Sequence, residues 1–368
     1  MTVALVHDYL TQRGGAERVV LSLLRAFPGA PLHTSLYEPE ATFPEFADAE
    51  IRTTPLDRVA LLRRHHRLAL PLLAPAFDRL RVEADVVVCS SSGWAHGARV
   101  SGRKVVYCHT PARWLYQTER YLGEDRGRSR RAALALLRRR LRRWDAAAAR
   151  SADRYVVNSS VVRERVRELY GIEAETVPPP PAVVPGGEEH ALPGLEPGFV
   201  LCVSRLLPYK NVDAVLAAFA DLPGERLVVA GGGPELERLR RAAPKNATLV
   251  GRVADAELRW LYANAAGLVA ASYEDFGLTP LEAASFGRPC AALRFGGFLD
   301  TIVEGETGVL FREPTPAEIR TAVERLLRQP WNEARLRAHA DGFVEARFVA
   351  EMRRIVLDPR PRVEVESL

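Results

Sequence analysis

Two glutamates separated by seven residues lie in the stretch of this sequence that best suits binding chemistry. Glu274 is in a predicted loop, and Glu282 is in the first turn of a helix predicted to begin with Thr279 as its N-cap. The apolar run 267–271 before them indicates a buried strand. Backbone N–H groups at such a turn favour a phosphate, and carboxylates accept hydrogen bonds from sugar hydroxyls. The stretch therefore predicts a sugar-phosphate site, unless Glu282 only completes a capping box and Glu274 is solvated.

Two cations follow the first predicted strand of the same half of the chain. Arg205 comes directly after the apolar run 199–204, and Lys210 lies five residues further on. Because parallel strands end at one edge of a sheet, we expect both near the helix start at Thr279. Arg can hold two phosphate oxygens, while Lys acts as a mobile point charge. Such a pair is often only solvated surface, but beside this turn it favours a diphosphate site.

These motifs resemble the retaining glycosyltransferases of family 4, which have two Rossmann-like domains in the arrangement called GT-B. The resemblance extends from about 199 to 311 and includes glycine turns after Ala230 and Phe295, although Asp300 stands where a Glu is more usual. It implies that Glu274 binds hydroxyls of the donor sugar and that Glu282 binds those of the ribose. The donor-binding residues that it implies in this half are Arg205, Lys210, Val253, Glu274, Phe276, Gly277, Leu278 and Glu282.

The first half of the chain carries two further candidate elements. Gly14 and Gly15 lie between a predicted strand and a helix, where they either form a tight turn or let a substrate approach the backbone. His109 lies just past the predicted strand 104–108, a place where a histidine can also be a core residue. Family 4 members often have a histidine here, over the donor sugar. The resemblance therefore implies catalytic roles for His109 and Glu274, and donor binding at the two glycines.

Strand and helix signals alternate in both halves of the chain, which predicts an α/β fold. We expect two Rossmann-like doubly wound parallel-sheet domains that face each other across a cleft. The expected parts are an acceptor-binding domain over 1–178, a Pro/Gly-rich linker over 179–198 and a nucleotide-sugar-binding domain over 199–342. A helix within about 343–368 is expected to pack back on the first domain.

Composition indicates a soluble two-domain protein, with 368 residues, 47% apolar and 26% charged. No apolar run approaches the roughly 20 residues that cross a bilayer, and the first residues lack the basic region of a signal peptide. The four cysteines lie in or beside apolar runs, so we expect reduced core residues. Together these features predict a cytoplasmic protein, peripheral on the inner face of the plasma membrane if its basic surface binds lipid.

Basic charge is concentrated in part of the first half. Residues 124–154 contain eleven arginines and four acids, although the whole chain carries only +5. Within the basic segment 126–150, Leu134, Leu137, Leu141 and Trp144 share one face of a predicted helix, and the segment 61–73 also mixes leucines with arginines and histidines. These segments either pack on the domain core with solvated arginines or bind an anionic membrane. We do not expect nucleic-acid binding.

The predicted function is transfer of a hexose from a nucleotide sugar to a lipid-linked or saccharide acceptor in cell-envelope polysaccharide synthesis. The segments 6–18 and 108–113 are similar to bacterial mannosyltransferases of surface polysaccharide assembly, so GDP-mannose is the first donor and a UDP-hexose the second. The alternatives are a nucleotide-sugar epimerase of the same fold and a non-enzymatic membrane-binding protein. No Asp-x-Asp triplet or His/Cys ligand spacing is present, so we expect no metal and no cofactor.

Overall fold

The computed structural model describes residues 1–117 and 128–359, except the side chains of 67 and 128–136. The chain divides into two compact units. The first comprises Met1–Pro179 with Glu345–Leu368, and the second comprises Pro180–Val344. The linker expected over 179–198 therefore lies in the second unit, apart from Pro179, which belongs to the first. Each unit contains a parallel sheet with helices packed on it, which confirms the predicted α/β class.

The first unit is built on a parallel sheet. Its strands are β1 (Val3–His7), β2 (Leu32–Thr34), β3 (Ile51–Thr53), β4 (Arg81–Val82), β5 (Val86–Ser91), β6 (Arg99–Val100), β7 (Arg103–Cys108), β8 (Arg154–Val157) and β9 (Glu175–Thr176). Among the described residues β4 and β6 pair with each other, and the other strands form the order β3-β2-β1-β5-β7-β8-β9. The strand order reverses between β1 and β5, where doubly wound sheets bind ligands.

Helices cover both faces of this sheet. In chain order they are α1 (Gly15–Ala26), α2 (Ala60–Arg64), α3 (Leu70–Arg79), α4 (Arg113–Tyr116), α5 (Arg128–Arg150) and α6 (Ser160–Tyr170), with short 3-10 helices at Pro44–Asp48, Pro55–Arg58, His66–Leu68 and Ala95–Gly97. Alternate residues of β1 enter different cores: Val6 packs in the cluster that contains Trp94, and Leu5 packs in the cluster that contains Val20 of α1. Burial on both faces explains why these strands are continuous apolar runs.

The second unit repeats the same topology. Its strands are β10 (Phe199–Val203), β11 (Leu227–Ala230), β12 (Ala247–Gly251), β13 (Ala265–Ala270), β14 (Cys290–Leu293) and β15 (Gly308–Phe311). In the described part of the chain they form a parallel sheet in the order β12-β11-β10-β13-β14-β15. β10 and β13 are therefore neighbours at the switch point of this sheet, so the loops that follow them emerge side by side.

The helices of the second unit include several with strong end signals. They are α7 (Val212–Ala220), α8 (Leu236–Ala242), α9 (Asp255–Asn264), α10 (Thr279–Ser285), α11 (Phe298–Thr301), α12 (Pro316–Arg328) and α13 (Glu333–Ala340), with 3-10 helices at Pro208–Lys210 and Asp341–Phe343. The side chain of Thr315 accepts from Glu318 N before α12, and that of Asn332 accepts from Arg335 N before α13. These caps fix where the two helices begin.

The last helix, α14 (Glu345–Leu357), belongs to the first unit. Its first residue, Glu345, accepts hydrogen bonds from Ser22 Oγ at 2.6 Å and Arg25 Nε at 2.9 Å, both on α1. Just beyond the end of the helix, Asp358 accepts a hydrogen bond at 2.6 Å from Arg154, the first residue of β8. The side chain of Arg154 is only 1% exposed. The helix is thus attached at both ends by charged hydrogen bonds, with an apolar face between them.

Candidate functional site

The loops that follow β10 and β13 meet at the switch point of the second sheet. Nζ of Lys210 binds Oε1 of Glu274, and Ser272 Oγ donates to the same oxygen at 3.0 Å. The side chains of Lys210 and Glu274 are 9% and 22% exposed. A buried ammonium and carboxylate need such a partner, because desolvation of an isolated charge is costly. The structure thus brings together the predicted phosphate-binding cation and the predicted sugar-binding carboxylate.

Asn211 forms a second contact between the same two loops. It follows the 3-10 helix that ends at Lys210 and has a left-handed backbone with φ 54°. Asn tolerates this conformation better than most residues. Its Nδ2 donates to the carbonyl oxygen of Ala271 at 2.8 Å, directly after β13. The position of Lys210 is therefore set by the backbone of its own loop and by a bond to the neighbouring loop.

The glycine turn after β11 packs against the loop that carries Arg205. Gly231 has φ 137°, and a Cβ on it would lie 1.9 Å from the carbonyl oxygen of Ser204. A Cβ on Gly233 would lie 2.3 Å from the carbonyl oxygen of Leu206. Only glycine permits this approach of two backbones. The glycines thus have a packing role, and they place Arg205, an exposed residue, at the sheet edge.

A second glycine turn, after β14, packs against the loop that begins α10. A Cβ on Gly297 would lie 2.2 Å from Cα of Phe276, and one on Gly277 would lie 2.4 Å from the ring of Phe298. The N–H of Gly297 donates to the carbonyl oxygen of Glu274 at 3.2 Å. Loops after three strands, β10, β13 and β14, are therefore held together at this sheet edge.

The start of α10 differs from the sequence prediction. Thr279 is the first helical residue, and the N-cap is Leu278, whose side chain makes no capping hydrogen bond. The prediction of Thr279 as N-cap was wrong because Leu278 is already in the right-handed helical region, with φ −73° and ψ −32°. The helix has only seven residues, so its dipole is short. A phosphate at this edge would therefore depend mainly on Arg205 and Lys210.

Glu282 is buried within α10, at 6% exposure. Tyr262 OH on α9 donates to its Oε2 at 2.6 Å, and the N–H of Ala182 donates to its Oε1 at 3.2 Å. Burial, and then the charge of Glu282, raises the pKa of Tyr262 well above its ordinary value, so the phenol stays a donor. The capping-box alternative for Glu282 does not hold, because these two donors orient its carboxylate. Val253, after β12, is half-buried and packs on the core.

In the first unit, His109 belongs to a buried network at the carboxyl ends of β1, β5 and β7. Its Nε2 lies 2.7 Å from Ser90 Oγ, and that hydroxyl lies 3.1 Å from Nδ1 of His7. Nε2 of His7 lies 4.0 Å from Oε1 of Glu17, which also accepts from Gln12 Nε2 at 3.0 Å. The two histidines and Ser90 come together because β1, β5 and β7 are adjacent in the sheet, and α1 adds Glu17.

The two histidines of this network differ in their protonation. Burial, and then the charge of His7, lowers the pKa of His109 to about 3, so His109 is neutral near pH 7. Burial by itself would lower the pKa of His7, but the interactions with Glu17, the charge of Asp8 and the hydrogen bond to the Ser90 carbonyl together raise it above its ordinary value. One imidazole is thus favoured as a cation and its neighbour is held neutral.

The glycine pair at the start of α1 makes room for Glu17. A Cβ on Gly14 would lie 2.6 Å from Oε2 of Glu17, whose residue surface is only 1% exposed. Gly15 is the first residue of α1 and is exposed. The close approach at Gly14 is therefore explained by a buried carboxylate, and donor binding at the two glycines remains a prediction.

Four residues of these two networks were not predicted from the sequence: His7, Glu17, Ser90 and Tyr262. The first three had a weak signal: His7 and Ser90 are polar residues at the carboxyl ends of apolar strands, and Glu17 directly follows the glycine turn. Tyr262 had none, since its hydroxyl contacts a residue twenty positions away on another helix. Within residues 1–117 and 128–359, no cluster of three or more His, Cys, Asp or Glu side chains suits a metal ion. Nor does any described helix have the length and apolarity needed to cross a membrane.

The basic segments have a packed side and an exposed side. On α5, Leu141 and Trp144 pack on the core, while Arg139, Arg140 and Arg143 are exposed. In the segment 61–73, exposed leucines lie beside charged residues, and their exposures are Leu61 57%, Leu68 55% and Leu72 44%. The packing alternative is thus correct for part of α5, while the side chain of Leu134 lies outside the described residues.

Two family models match consecutive parts of the chain. The model described as Glycosyltransferase Family 4 matches residues 13–185, and the model described as Glycosyl transferases group 1 matches residues 189–342. The first match contains Gly14, Gly15 and His109. The second contains the cluster around Lys210 and Glu274.

Similar proteins include several glycosyltransferases. The D-inositol 3-phosphate glycosyltransferase of Acidothermus cellulolyticus is 32% identical over 215 residues, which are 48% of this chain and 46% of that protein. The GDP-mannose-dependent alpha-(1-6)-phosphatidylinositol monomannoside mannosyltransferase of Mycolicibacterium smegmatis is 33% identical over 151 residues, which are 36% and 39% of the two chains. Each of these matches therefore spans less than half the length of the curated relative.

Solved structures resemble the whole chain. Anabaena HepE in complex with UDP-glucose has a TM-score of 0.68 at 16% identity, covering 97% of this chain and 100% of that one. The lipopolysaccharide outer core galactosyltransferase WaaB has a TM-score of 0.67 at 17% identity, covering 97% and 99%. At such identities the likeness concerns the fold, and it confirms the predicted GT-B class of two Rossmann-like units.

Proposed function

This chain belongs to glycosyltransferase family 4, and from that premise we propose that it moves a hexose from a nucleoside diphosphate sugar to a lipid-linked or saccharide acceptor. The proposed transfer retains the anomeric configuration and serves cell-envelope polysaccharide synthesis. The observation that carries this proposal is the contact between Lys210 and Glu274. It joins, at one sheet edge, a cation suited to a diphosphate and an acceptor group suited to sugar hydroxyls.

The proposed donor contacts divide by chemistry. Arg205 and Lys210 neutralise the diphosphate, together with backbone N–H groups of Phe276, Gly277 and Leu278. Glu274 binds hydroxyls of the hexose, and Glu282 binds those of the ribose. The backbone near Val253 meets the base, and Gly14, Gly15 and His109 serve the donor from the first unit. Tyr262 supports this assignment for Glu282, because its hydrogen bond keeps that carboxylate in one orientation.

We propose a front-face reaction for the chemical step. The bond between the anomeric carbon and the phosphate oxygen breaks as the bond to the acceptor oxygen forms on the same face. The departing phosphate oxygen takes the proton of the acceptor hydroxyl, and the nucleoside diphosphate leaves. Fixed cations at Arg205 and Lys210 stabilise the developing negative charge, so no metal or cofactor is required in this proposal.

GDP-mannose is the proposed donor, with a UDP-hexose as the alternative. The first is supported by the mannosyltransferase of Mycolicibacterium smegmatis, which is GDP-mannose-dependent. The alternative is supported by the Anabaena structure, which holds UDP-glucose. We propose that the exposed leucines and arginines of the first unit bind the anionic inner face of the plasma membrane from the cytoplasm. Binding at that surface would bring the enzyme to a lipid-linked acceptor.

The proposal is tested by ligand-induced stabilisation and by turnover. We expect one nucleoside diphosphate among GDP, UDP and ADP to raise the free energy of unfolding by about 2.7 kcal/mol at a hundred times its dissociation constant. Incubation of the matching sugar donor with membrane lipid extract should give a product with the donor's anomeric configuration by NMR. Inverted product would refute retention, and conversion of the donor without any acceptor would favour the epimerase alternative.

A further inference from the structure

Ser90 lies between two histidines, and its surroundings determine where the protons are. Nδ1 of His7 lies 3.1 Å from the carbonyl oxygen of Ser90 and 3.1 Å from its hydroxyl oxygen. A carbonyl oxygen only accepts hydrogen bonds, so Nδ1 of His7 must carry a hydrogen. The Ser90 hydroxyl therefore accepts on the His7 side and keeps its own hydrogen for another partner.

That partner is His109. Its Nε2 lies 2.7 Å from Ser90 Oγ, and the described residues offer this hydroxyl no other acceptor side chain. An O–H donor to Nε2 requires that nitrogen to be unprotonated, and a neutral imidazole then carries its hydrogen on Nδ1. Nδ1 of His109 has no hydrogen-bond partner among the described residues, and 8% of the residue surface is exposed.

Glu17 fixes the direction of this chain of hydrogen bonds. Its carboxylate lies 4.0 Å from Nε2 of His7, and both side chains are 2% exposed. A buried carboxylate favours a protonated His7, which has a hydrogen on each ring nitrogen and can only donate. His7 can then only donate toward Ser90, so the hydroxyl can only donate toward His109.

We propose that Ser90 and His7 are positioning residues that hold His109 as the neutral tautomer protonated at Nδ1, so that His109 presents an N–H donor to the bound substrate. The substrate atom that contacts His109 is then an oxygen of the donor sugar or phosphate that accepts a hydrogen bond. In this state neither ring nitrogen can act as a general base toward the acceptor hydroxyl. The contact with substrate rests on the proposed function, whereas the tautomer does not.

Nitrogen NMR of the full-length protein labelled with ¹⁵N-histidine tests the tautomer directly. The chain contains eight histidines, and the signals that disappear in His109→Gln assign that residue. At pH 7 we expect a protonated-type Nδ1 and an unprotonated-type Nε2 for His109. A proton on Nε2, or on both nitrogens, would overturn the proposal whether or not the protein transfers sugar.

Substitution of the bridging serine tests its role. Ser90→Ala should shift His109 toward the Nε2-protonated tautomer and lower kcat roughly 10–100-fold, as loss of the hydrogen-bond partner of a metal-binding histidine does. Ser90→Thr keeps the hydroxyl and should keep the wild-type signals. Ser91→Ala is the matched control, because its buried hydroxyl bonds His96 instead. An unchanged tautomer in Ser90→Ala would refute the role of Ser90. If the NMR result holds but no donor is turned over, only the proposed function fails.

Discussion

Lys210 on the loop after β10 binds Glu274 on the loop after β13, so the two strands at the switch point of the second sheet are linked by an ion pair. This pair satisfies two largely buried charges. A diphosphate sugar would offer the lysine a second anion and the glutamate new hydroxyl donors. The contact is thus both a structural link and a preformed part of the proposed site.

Lys210→Met should lower stability and abolish donor binding. Because Glu274 would lose its ammonium partner, we expect the free energy of unfolding to fall by about 1.5–3 kcal/mol, measured by urea denaturation. Arg335→Met is the control, since Arg335 and Glu306 form an exposed ion pair at 2.7 Å with side chains 63% and 46% exposed. That variant should cost less than about 1 kcal/mol. Equal losses in the two variants would contradict the structural role of Lys210.

Glu274→Gln should remove transfer while the fold is kept. The amide has the shape of the carboxylate but lacks its charge, so Lys210 and the sugar hydroxyls lose an ionised acceptor. We expect kcat to fall at least about 100-fold, with a smaller change in nucleoside diphosphate affinity by calorimetry. Wild-type turnover in this variant would rule out the proposed role of Glu274.

Tyr262→Phe tests the ribose assignment of Glu282. Loss of the phenol hydroxyl removes a donor that orients this buried carboxylate, so we expect a cost of about 1–3 kcal/mol in unfolding free energy. If Glu282 binds the ribose, calorimetry should show weaker binding of the nucleoside diphosphate and little change for its 2′,3′-dideoxy form. An equal loss for both ligands would mean that Glu282 does not contact the ribose hydroxyls.

The sequence predicted the regular elements well where apolar periodicity and end signals agreed. The predicted strand 104–108 corresponds to β7, and the apolar run 267–271 corresponds to β13, because strands buried on both faces show a clear apolar signal. Strands β2, β3, β4, β6 and β9 were not predicted, because two or three residues are too few to show a period. These short strands owe their conformation to the neighbours with which they pair.

The candidate site was predictable only in part. Positions after strand ends follow from the α/β pattern, which is why Lys210 and Glu274 could be placed together. The partners of Glu282 could not be predicted, since Ala182 is a hundred positions away and contacts it only through tertiary packing. The same holds for Ser90, whose place between two histidines depends on β1, β5 and β7 being adjacent.

Gly297→Ala should distort the glycine turn after β14, which packs against the loop between β13 and α10. Gly297 has an ordinary helical backbone with φ −67°, so its cost arises from space, because a Cβ would lie 2.2 Å from Cα of Phe276. We expect about 1–3 kcal/mol of destabilisation and weaker nucleotide binding. Gly224→Ala is the control, since nothing lies within 4 Å of a Cβ there. A neutral result at Gly297 in urea denaturation would contradict this packing.

Acid stability should depend on His109. Its pKa is lowered from 6.5 to about 3, so below pH 6.5 the unfolded chain binds a proton that the native protein does not. This residue therefore makes the free energy of unfolding fall as the pH falls from 6.5 toward 3, by at most about 1.4 kcal/mol per pH unit. His7 acts oppositely: its raised pKa gives stability that is present below 6.5 and lost at higher pH. His109→Gln should flatten the acid decline in urea titrations, and an unchanged slope would contradict the burial of a neutral His109.

Membrane binding should depend on the exposed leucines of the first unit. Leu61, Arg64 and Leu72 are all exposed in the segment 61–73, so insertion of the two leucine side chains into a lipid surface would add to electrostatic attraction. Each buried leucine contributes up to about 2 kcal/mol, so Leu61→Ser with Leu72→Ser should weaken flotation with phosphatidylglycerol vesicles by at least about tenfold. Binding should also fall with added salt and be weak on neutral vesicles. Leu299→Ser is the matched control, because Leu299 is 51% exposed in the second unit. If the two changes have the same effect, the segment 61–73 is not the membrane-binding surface.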